Sequence, residues 1–369
     1  MPSAFRVSLL LATTLAAAGA QQQPFFEQVD LFAKGDAGVN TYRIPALVQT
    51  RKGTLIAIVD ARHDSARDLP ARISLVERRS FDGGKTWSAP KTIREVKEGG
   101  VGDASLLVDR DTGRVWSFHA YGPPGIGFQT AKAGERTGPN TLQFHAMYSD
   151  DDGATWSDDI DLTPQVKDPA WQAMFATSGT DIQTRKGRFL VPMVVRDSAG
   201  VIRSRNAYSD DHGKTWRVGK PAAPGTDESH NVELEDGIIL QNMRNGKTRA
   251  VARSEDGGIT LGPTEHDPAL IDPGCNAGIT VYRRNGKDIV VFTNAASTKR
   301  ENLTVKLSYD SGRTWPVART IYAGPAAYST VIPLAGGDIG VLYERGESSA
   351  TERITFARFN PEWVTAGSR

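Results

Sequence analysis

The octapeptide "SFDGGKTW", residues 80–87, returns as "SDDDGATW" from Ser149, "SDDHGKTW" from Ser209 and "SYDSGRTW" from Ser308, with a degraded copy, "SEDGGITL", from Ser254. Successive copies begin 69, 60, 45 and 54 residues apart. The shared pattern S-x-D-x-G-x-T-W has a physical reading. An aspartate in a tight turn accepts hydrogen bonds from its own downstream backbone. Glycine supplies a positive φ at little cost. Threonine and tryptophan then begin the next strand, and the indole lies over the turn as an apolar plate. The repeat is a hairpin-forming device without chemistry of its own. A calcium loop is also rich in Asp and Gly, but the glutamate it needs at its twelfth position is missing after Ser80 and Ser149. No metal and no cofactor is expected.

Short apolar or alternating runs separate the boxes: "GTLIAIVDA", "ASLLVD", "GRVWSFHA", "GRFLVPMVV", "GIILQNM", "DIVVFTNA" and "GDIGVLYE". They are rich in Val, Ile and aromatics and are bounded by Gly or Asp, the pattern of short strands. Long helical periodicity is absent. Many short strands on a repeat of this length predict an all-β fold, a six-bladed β-propeller. Residues 21–369 shared among six blades give about 58 each. No linker or shift in composition divides them, so one domain over 21–369 is expected. A propeller gathers side chains from several blades at one end of its channel, so site residues should be far apart in the chain.

The chain of 369 residues is 39% hydrophobic and 24% charged with a net charge of +1, an ordinary globular balance. Basic residues are spread along it, which argues against nucleic acid or a membrane surface as partner. The first twenty residues differ. Arg6 precedes "VSLLLATTLAAAGA", too short to span a bilayer comfortably and ending in Ala18-Gly19-Ala20. Residues 1–20 read as a signal peptide and the mature protein as secreted. Cys275 is the single cysteine, so no intrachain disulfide is possible. It reads as a small buried residue. Asn302-Leu303-Thr304 is a glycosylation sequon.

"TYRIPAL", residues 41–47, puts Arg43 inside a segment that otherwise suits a packed sheet. A buried arginine needs an acidic partner. "YRIPAL" followed by the repeated boxes resembles the exo-α-sialidases (neuraminidases) of the bacterial and fungal type, over about residues 25–362. The resemblance implies a six-bladed propeller that removes terminal sialic acids, N-acetylneuraminic acid or Kdn, from glycoconjugates or free sialosides. It implies three arginines on the substrate carboxylate: Arg43, Arg244 in "LQNMRNG" and Arg300 in "STKRENL". Glu344 in "VLYERG" matches the glutamate that holds the first. The chemistry fits, since guanidinium stays charged and its planar fork matches a carboxylate.

The same resemblance implies a tyrosine nucleophile, Tyr328 in "AAYSTVIPL", and its base, Glu228 in "TDESHNVELEDG", with Glu233 and Glu235 as local rivals. The anomeric carbon of such a substrate already bears a carboxylate, which repels an anionic nucleophile and favours a neutral phenol. A phenol of ordinary pKa about 10 needs a base beside it. The resemblance also implies an aspartate as general acid on the loop "DARHDSARDLPAR", read as Asp68 with Asp64 as rival. Arg62 resembles the arginine on the C4 side of the sugar, and Asp103 an acid of the same pocket.

Trp171, Phe175 and Phe128 are candidates for an apolar pocket around the C5 substituent, or for core. Asp181 stands where many relatives carry glycine, and a carboxylate there would favour a polar C5 group, as in Kdn. His119 and His145 read as pocket wall or core, and His63, His212, His230 and His266 as exposed. A monomer is expected. The alternatives are a Kdn-specific hydrolase and a catalytically silent sialoglycan-binding propeller. A silent propeller would lack one of Asp68, Glu228 and Tyr328, and all three are present.

Overall fold

The computed structural model describes residues 23–284 and 286–367; the signal peptide expected at 1–20 lies outside them. The described chain is all-β, with only the short helices Thr163–Val166 and Pro361–Ala366 and a 3-10 turn at Asp36–Gly38. Each run quoted above forms a strand: Leu55–Arg62, Gly100–Val108, Val115–Gly122, Phe189–Arg196, Ile239–Met243, Lys287–Ala295 and Ile339–Arg345. No helix among the described residues is long and apolar enough to cross a membrane.

The strands form sheets of seven, five, five, four and four strands, paired almost throughout in antiparallel fashion. In the seven-stranded sheet the long strand Val317–Pro333 pairs with Glu301–Ser308 through its first half and with Ile339–Arg345 through its second. At the edge of that sheet the first strand, Phe26–Ala33, pairs with the last, Arg353–Phe359. The two ends of the fold are thereby tied together.

The core lies in seams between neighbouring sheets. Ala46, Ile58 and Leu75 meet Val101, Leu106 and Met147. Phe118 and Phe144 meet Met174, Phe189 and Trp216, and Leu240 meets Ile279 and Phe292. The final strands return to the first sheet, where Leu342 and Phe356 meet Leu47, Ala57 and Val59. Strand Leu55–Arg62 is buried on both faces, which explains its unbroken apolar run.

The boxes form turns of one design. In the first, Ser80 Oγ donates to Asp82 and accepts from the Gly84 amide, both at 2.8 Å. The Thr86 amide and hydroxyl donate to the two Asp82 oxygens at 2.9 and 2.6 Å. These bonds hold the Asp82 carboxyl down at about 2, with the Thr86 hydroxyl as the leading cause. The indole of Trp87 caps the turn through the Gly84 carbonyl at 3.0 Å. Thr86 and Trp87 do not begin a strand; the next, Lys91–Arg94, starts later, because Asp82 keeps Thr86 in the turn.

Candidate active site

Four strands lose register at or beside a predicted site residue. Thr41–Gln49 slips between Arg43 and Ala46, Gly100–Val108 between Gly102 and Ser105, Val317–Pro333 between Ala326 and Ser329, and Glu301–Ser308 between Glu301 and Leu303. A bulge bends its strand and re-aims a side chain. Ile44 sits at φ 64 and Asp103 at φ 59, a region that a β-branched residue enters only under strain. The Ile44 amide is thereby turned to Glu344 Oε1 at 3.0 Å.

Glu344 is the acid that Arg43 requires. Arg43 Nε and Nη2 donate to its two oxygens at 3.0 and 3.1 Å, and the Tyr328 amide donates to Oε2 at 3.2 Å. Glu344 is fully buried. Burial works against the Arg43 charge, but Glu344, with Tyr328 beside it, more than offsets that and raises its pKa.

Tyr328 stands at the centre. Its hydroxyl donates to Glu228 Oε2 at 2.7 Å. Arg244 Nη1 donates to that oxygen at 2.7 Å and to the phenol oxygen at 3.1 Å. The guanidinium carbons of Arg43 and Arg300 lie 5.1 and 5.6 Å from the ring centroid. Burial, and then the Glu228 charge, push the phenol well above its ordinary pKa. Burial also raises Glu228, against the pull of Arg244. A phenol so placed does not ionise alone, but its proton has a short direct path to Glu228.

A cavity of about 230 Å³ opens beside the hydroxyl, lined by Asp68, Asp103, Asp227, Glu228, Arg244 and Tyr328, with Leu69, Phe128, Leu142 and Phe175 as an apolar wall. Asp68 is 2.6 Å from Arg62 and 4.0 Å from Arg43, with its side chain 78% exposed. Asp64 turns away to Arg72 at 3.3 Å. Glu233 accepts from the Arg185 amide, Glu235 lies beyond strand Ser229–Glu233, and neither lines the cavity. A larger surface groove of about 810 Å³ near Arg253 and Asp267 gathers none of these groups.

Two supporting acids escaped the sequence reading. Asp60 bonds Arg62 at 3.3 Å and the Asp103 amide at 2.9 Å. Burial raises it to about 6 despite Arg62. Burial, with Asp60 and Asp68, also raises Asp103 well above the carboxylate range. The available signal was a carboxylate ending the apolar run "LIAIVDA". The second is Asp272, which accepts from the amides of Asn245 at 2.8, Gly246 at 3.3, Gly274 at 2.8 and Cys275 at 3.1 Å. It also pairs with buried Arg249 at 3.2 Å. Asp272 thus ties the loop after Arg244 to Gly274, whose carbonyl accepts from Arg300 at 2.9 Å.

Several expectations are corrected. Trp171 belongs to the core where Phe118 and Phe144 meet Met174 and Phe189, whereas Phe128 and Phe175 do line the cavity, packed edge to face at 5.2 Å. Asp181 does not reach it: the carboxylate is buried against the Ser105 hydroxyl. His230 is buried, not exposed, because its strand is covered on both faces, and burial lowers it to about 4. His63 is half-buried against Ser74. His119 and His145 flank Asp159 at 3.1 and 2.7 Å, outside the cavity. Two clusters, His119–His145–Asp159 and Asp109–Asp111–His212, bring potential metal-ligand atoms together. In both the central carboxylate is already engaged, Asp159 by Arg94 and Asp109 by Thr112. Cys275 is buried beside Ile44 and Tyr328, and burial pushes its thiol up to about 12.

Comparison with known proteins gives the family. A family model described as BNR repeat-like domain matches residues 100–341, and one described as BNR/Asp-box repeat matches 78–89. A sialidase of Micromonospora viridifaciens is 38% identical over 99% of this chain and 61% of its own length. A sialidase of Bacteroides fragilis (strain YCH46) is 36% identical over 87% of this chain and 62% of its own. The chain therefore spans about three-fifths of these relatives. Among solved structures, Hadza microbial sialidase Hz136 superposes with a TM-score of 0.83 at 33% identity, covering 89% of this chain and 68% of that one. On the repeat match and on these identities, the chain belongs to the Asp-box (BNR) sialidase family of glycoside hydrolases.

Proposed function

We propose that the protein is a retaining exo-α-sialidase that removes terminal sialic acids from glycoconjugates through a glycosyl-tyrosine intermediate. The observation that carries this reading is the 2.7 Å bond from the Tyr328 hydroxyl to Glu228 within a ring of three guanidiniums. The substrate carboxylate binds Arg43, Arg244 and Arg300 and replaces Asp68 on Arg43. Asp68 turns to the glycosidic oxygen and gives it a proton as that bond to the anomeric carbon breaks. The phenol passes its proton to Glu228, and its oxygen bonds to the anomeric carbon. Water then attacks the same carbon, losing a proton to Asp68, while the phenolate leaves and recovers its proton from Glu228. Two displacements retain configuration. Asp103 meets a sugar hydroxyl beside Arg62.

The apolar wall of Leu69, Phe128, Leu142 and Phe175 favours an acetamido methyl over the C5 hydroxyl of Kdn. One methyl in such a pocket is worth about 1–3 kcal/mol, or about 10–200-fold in kcat/KM. The six strand groups, counting both halves of the seven-stranded sheet, support six blades in one catalytic domain over 21–369. The leader pattern of residues 1–20 supports secretion.

Fluorogenic glycosides of N-acetylneuraminic acid and Kdn, offered side by side to purified protein, test the reading, with NMR identifying the first-released anomer. Cleavage with α-sialic acid released first is expected. Cleavage of neither, with tight binding of free sialic acid, would make the protein a lectin.

A further inference from the structure

Asp68 reaches the cavity from the loop between Leu55–Arg62 and Ile73–Ser80. Its side chain is largely exposed and pairs with Arg62 and Arg43, and turning to the glycosidic oxygen, as the proposed reaction requires, takes it off Arg43. What sets its reach is therefore the backbone that follows it. That backbone lies on two glycines, Gly100 at the start of strand Gly100–Val108 and Gly127 in the loop after strand Val115–Gly122. A Cβ on Gly127 would fall 2.0 Å from the Leu69 carbonyl oxygen, 2.4 Å from its carbon and 2.9 Å from the Pro70 nitrogen. A Cβ on Gly100 would fall 2.4 Å from the Ala71 carbonyl oxygen and 2.7 Å from Leu69 Cδ2. Neither glycine has a positive φ, so a turn does not demand either. Only the close approach of the Asp68 loop does.

The contacts run in one direction. Leu69 packs onto Ala120, Ile126 and Leu142, the Ala71 amide donates to the Asp68 carbonyl at 3.2 Å, and Arg62 Nη1 holds the Ala66 carbonyl at 2.8 Å. The loop is braced at Ala66 and from Asp68 to Ala71, and the carboxylate projects from between these braces. We propose that Gly100 and Gly127 are positioning residues for acid catalysis: they form a seat that admits the Leu69–Ala71 backbone and so places the Asp68 carboxylate at the leaving-group oxygen. This inference rests on the reading of Asp68 as the general acid. A methyl on either glycine lifts the loop by a fraction of an ångström to an ångström, and a 1 Å misplacement of a catalytic group costs on the order of 100-fold.

The test uses two leaving groups that differ in their need for a proton. A 4-methylumbelliferyl glycoside of N-acetylneuraminic acid departs as a stabilised phenolate, whereas the lactose of 3′-sialyllactose must be protonated. For Gly127→Ala and Gly100→Ala, kcat/KM is measured on both, since it reports the step that breaks the glycosidic bond. The ratio of sialyllactose to umbelliferyl activity is expected to fall about 100-fold, as in Asp68→Asn. Where Gly127→Ala does not fold, Gly100→Ala, which meets a flexible side-chain end as well as backbone, carries the measurement. An unchanged ratio, with both activities lowered equally or neither lowered, overturns the seat. If Asp68→Asn splits the substrates and the glycine variants do not, the seat fails and the acid stands. If Asp68→Asn itself does not split them, the acid assignment fails and takes the seat with it.

Discussion

Replacing Glu344 by glutamine should harm both stability and substrate binding, and the structure sets the scale. The carboxylate is fully buried and accepts four hydrogen bonds, two from Arg43 and one each from the Ile44 and Tyr328 amides. Opposite charges about 3 Å apart interact by about 5 kcal/mol at an effective dielectric of about 20. Breaking a buried pair from one side costs about 3–5 kcal/mol, because the remaining charge stays buried without its partner. The amide keeps one acceptor but turns its NH2 toward donors, so a loss of about 3 kcal/mol is expected. At about 2.1 cal/mol/K per residue of unfolding entropy, that lowers the midpoint of a chain this long by roughly 4 °C. Arg43 also loses its orientation, so KM should rise at least about tenfold with a smaller change in kcat. Thermal unfolding and steady-state kinetics on one preparation read both. Replacing Arg43 and Glu344 together by methionine should recover the part of the loss that comes from the unpaired charge, but not the part from the Ile44 and Tyr328 amides, which lose their acceptor, and not the activity. A midpoint within about 1 °C of the parent, together with an unchanged KM, would refute the claim that this pair anchors the carboxylate site.

Other consequences follow from the same geometry. Asp272→Ala should raise KM about tenfold or more with a smaller effect on kcat, since Asp272 links the loops that hold Arg244 and Arg300; equal losses in both parameters would contradict a carboxylate-positioning role. Burial holds Glu77 at about 7, against the pull of Trp156 and Arg79. A carboxyl whose pKa is raised on folding contributes stability that is full below about 4.5 and lost as the pH climbs through about 7. The swing is on the order of 3 kcal/mol. Urea unfolding at pH 5 and pH 8 should therefore show a shallower pH dependence in Glu77→Gln, and identical slopes would count against it. Glu228→Gln should lower kcat by about 10²–10⁴; near-parental turnover would remove Glu228 as the base.

Much of the fold was legible because its signals are local. Each box closes on itself through Ser, Asp and Thr within eight residues, so the pattern survives without knowledge of the rest of the chain. The degraded copy shows the limit of what the turn needs: Ser254 and Asp256 make the same bonds although the tryptophan is replaced by Leu261. The site is different. Tyr328 and Glu228 touch across 100 residues and Arg43 and Glu344 across 301, so no window of sequence contains either pair, and only resemblance to a family joined them. Asp60 and Asp272 were missed for a related reason, since each acts through a neighbour's backbone. His230 was misplaced because a strand buried on both faces has no outward side for polar residues to mark, and Asp181 because it lies between two very short strands, Gly179–Thr180 and Ile182–Gln183, that leave no alternation to read. The positive φ of Ile44 has no sequence signal beyond the odd arginine before it.

A 2,3-difluorinated sialic acid, whose ring fluorine slows the second displacement, puts the tyrosine–glutamate pair to the most direct trial. After incubation and proteolysis, mass spectrometry should find the fluorosialosyl group on the peptide that contains Tyr328, and none on Tyr328→Phe. An adduct on a carboxylate, or none from a preparation that cleaves the fluorogenic substrate, would contradict the account.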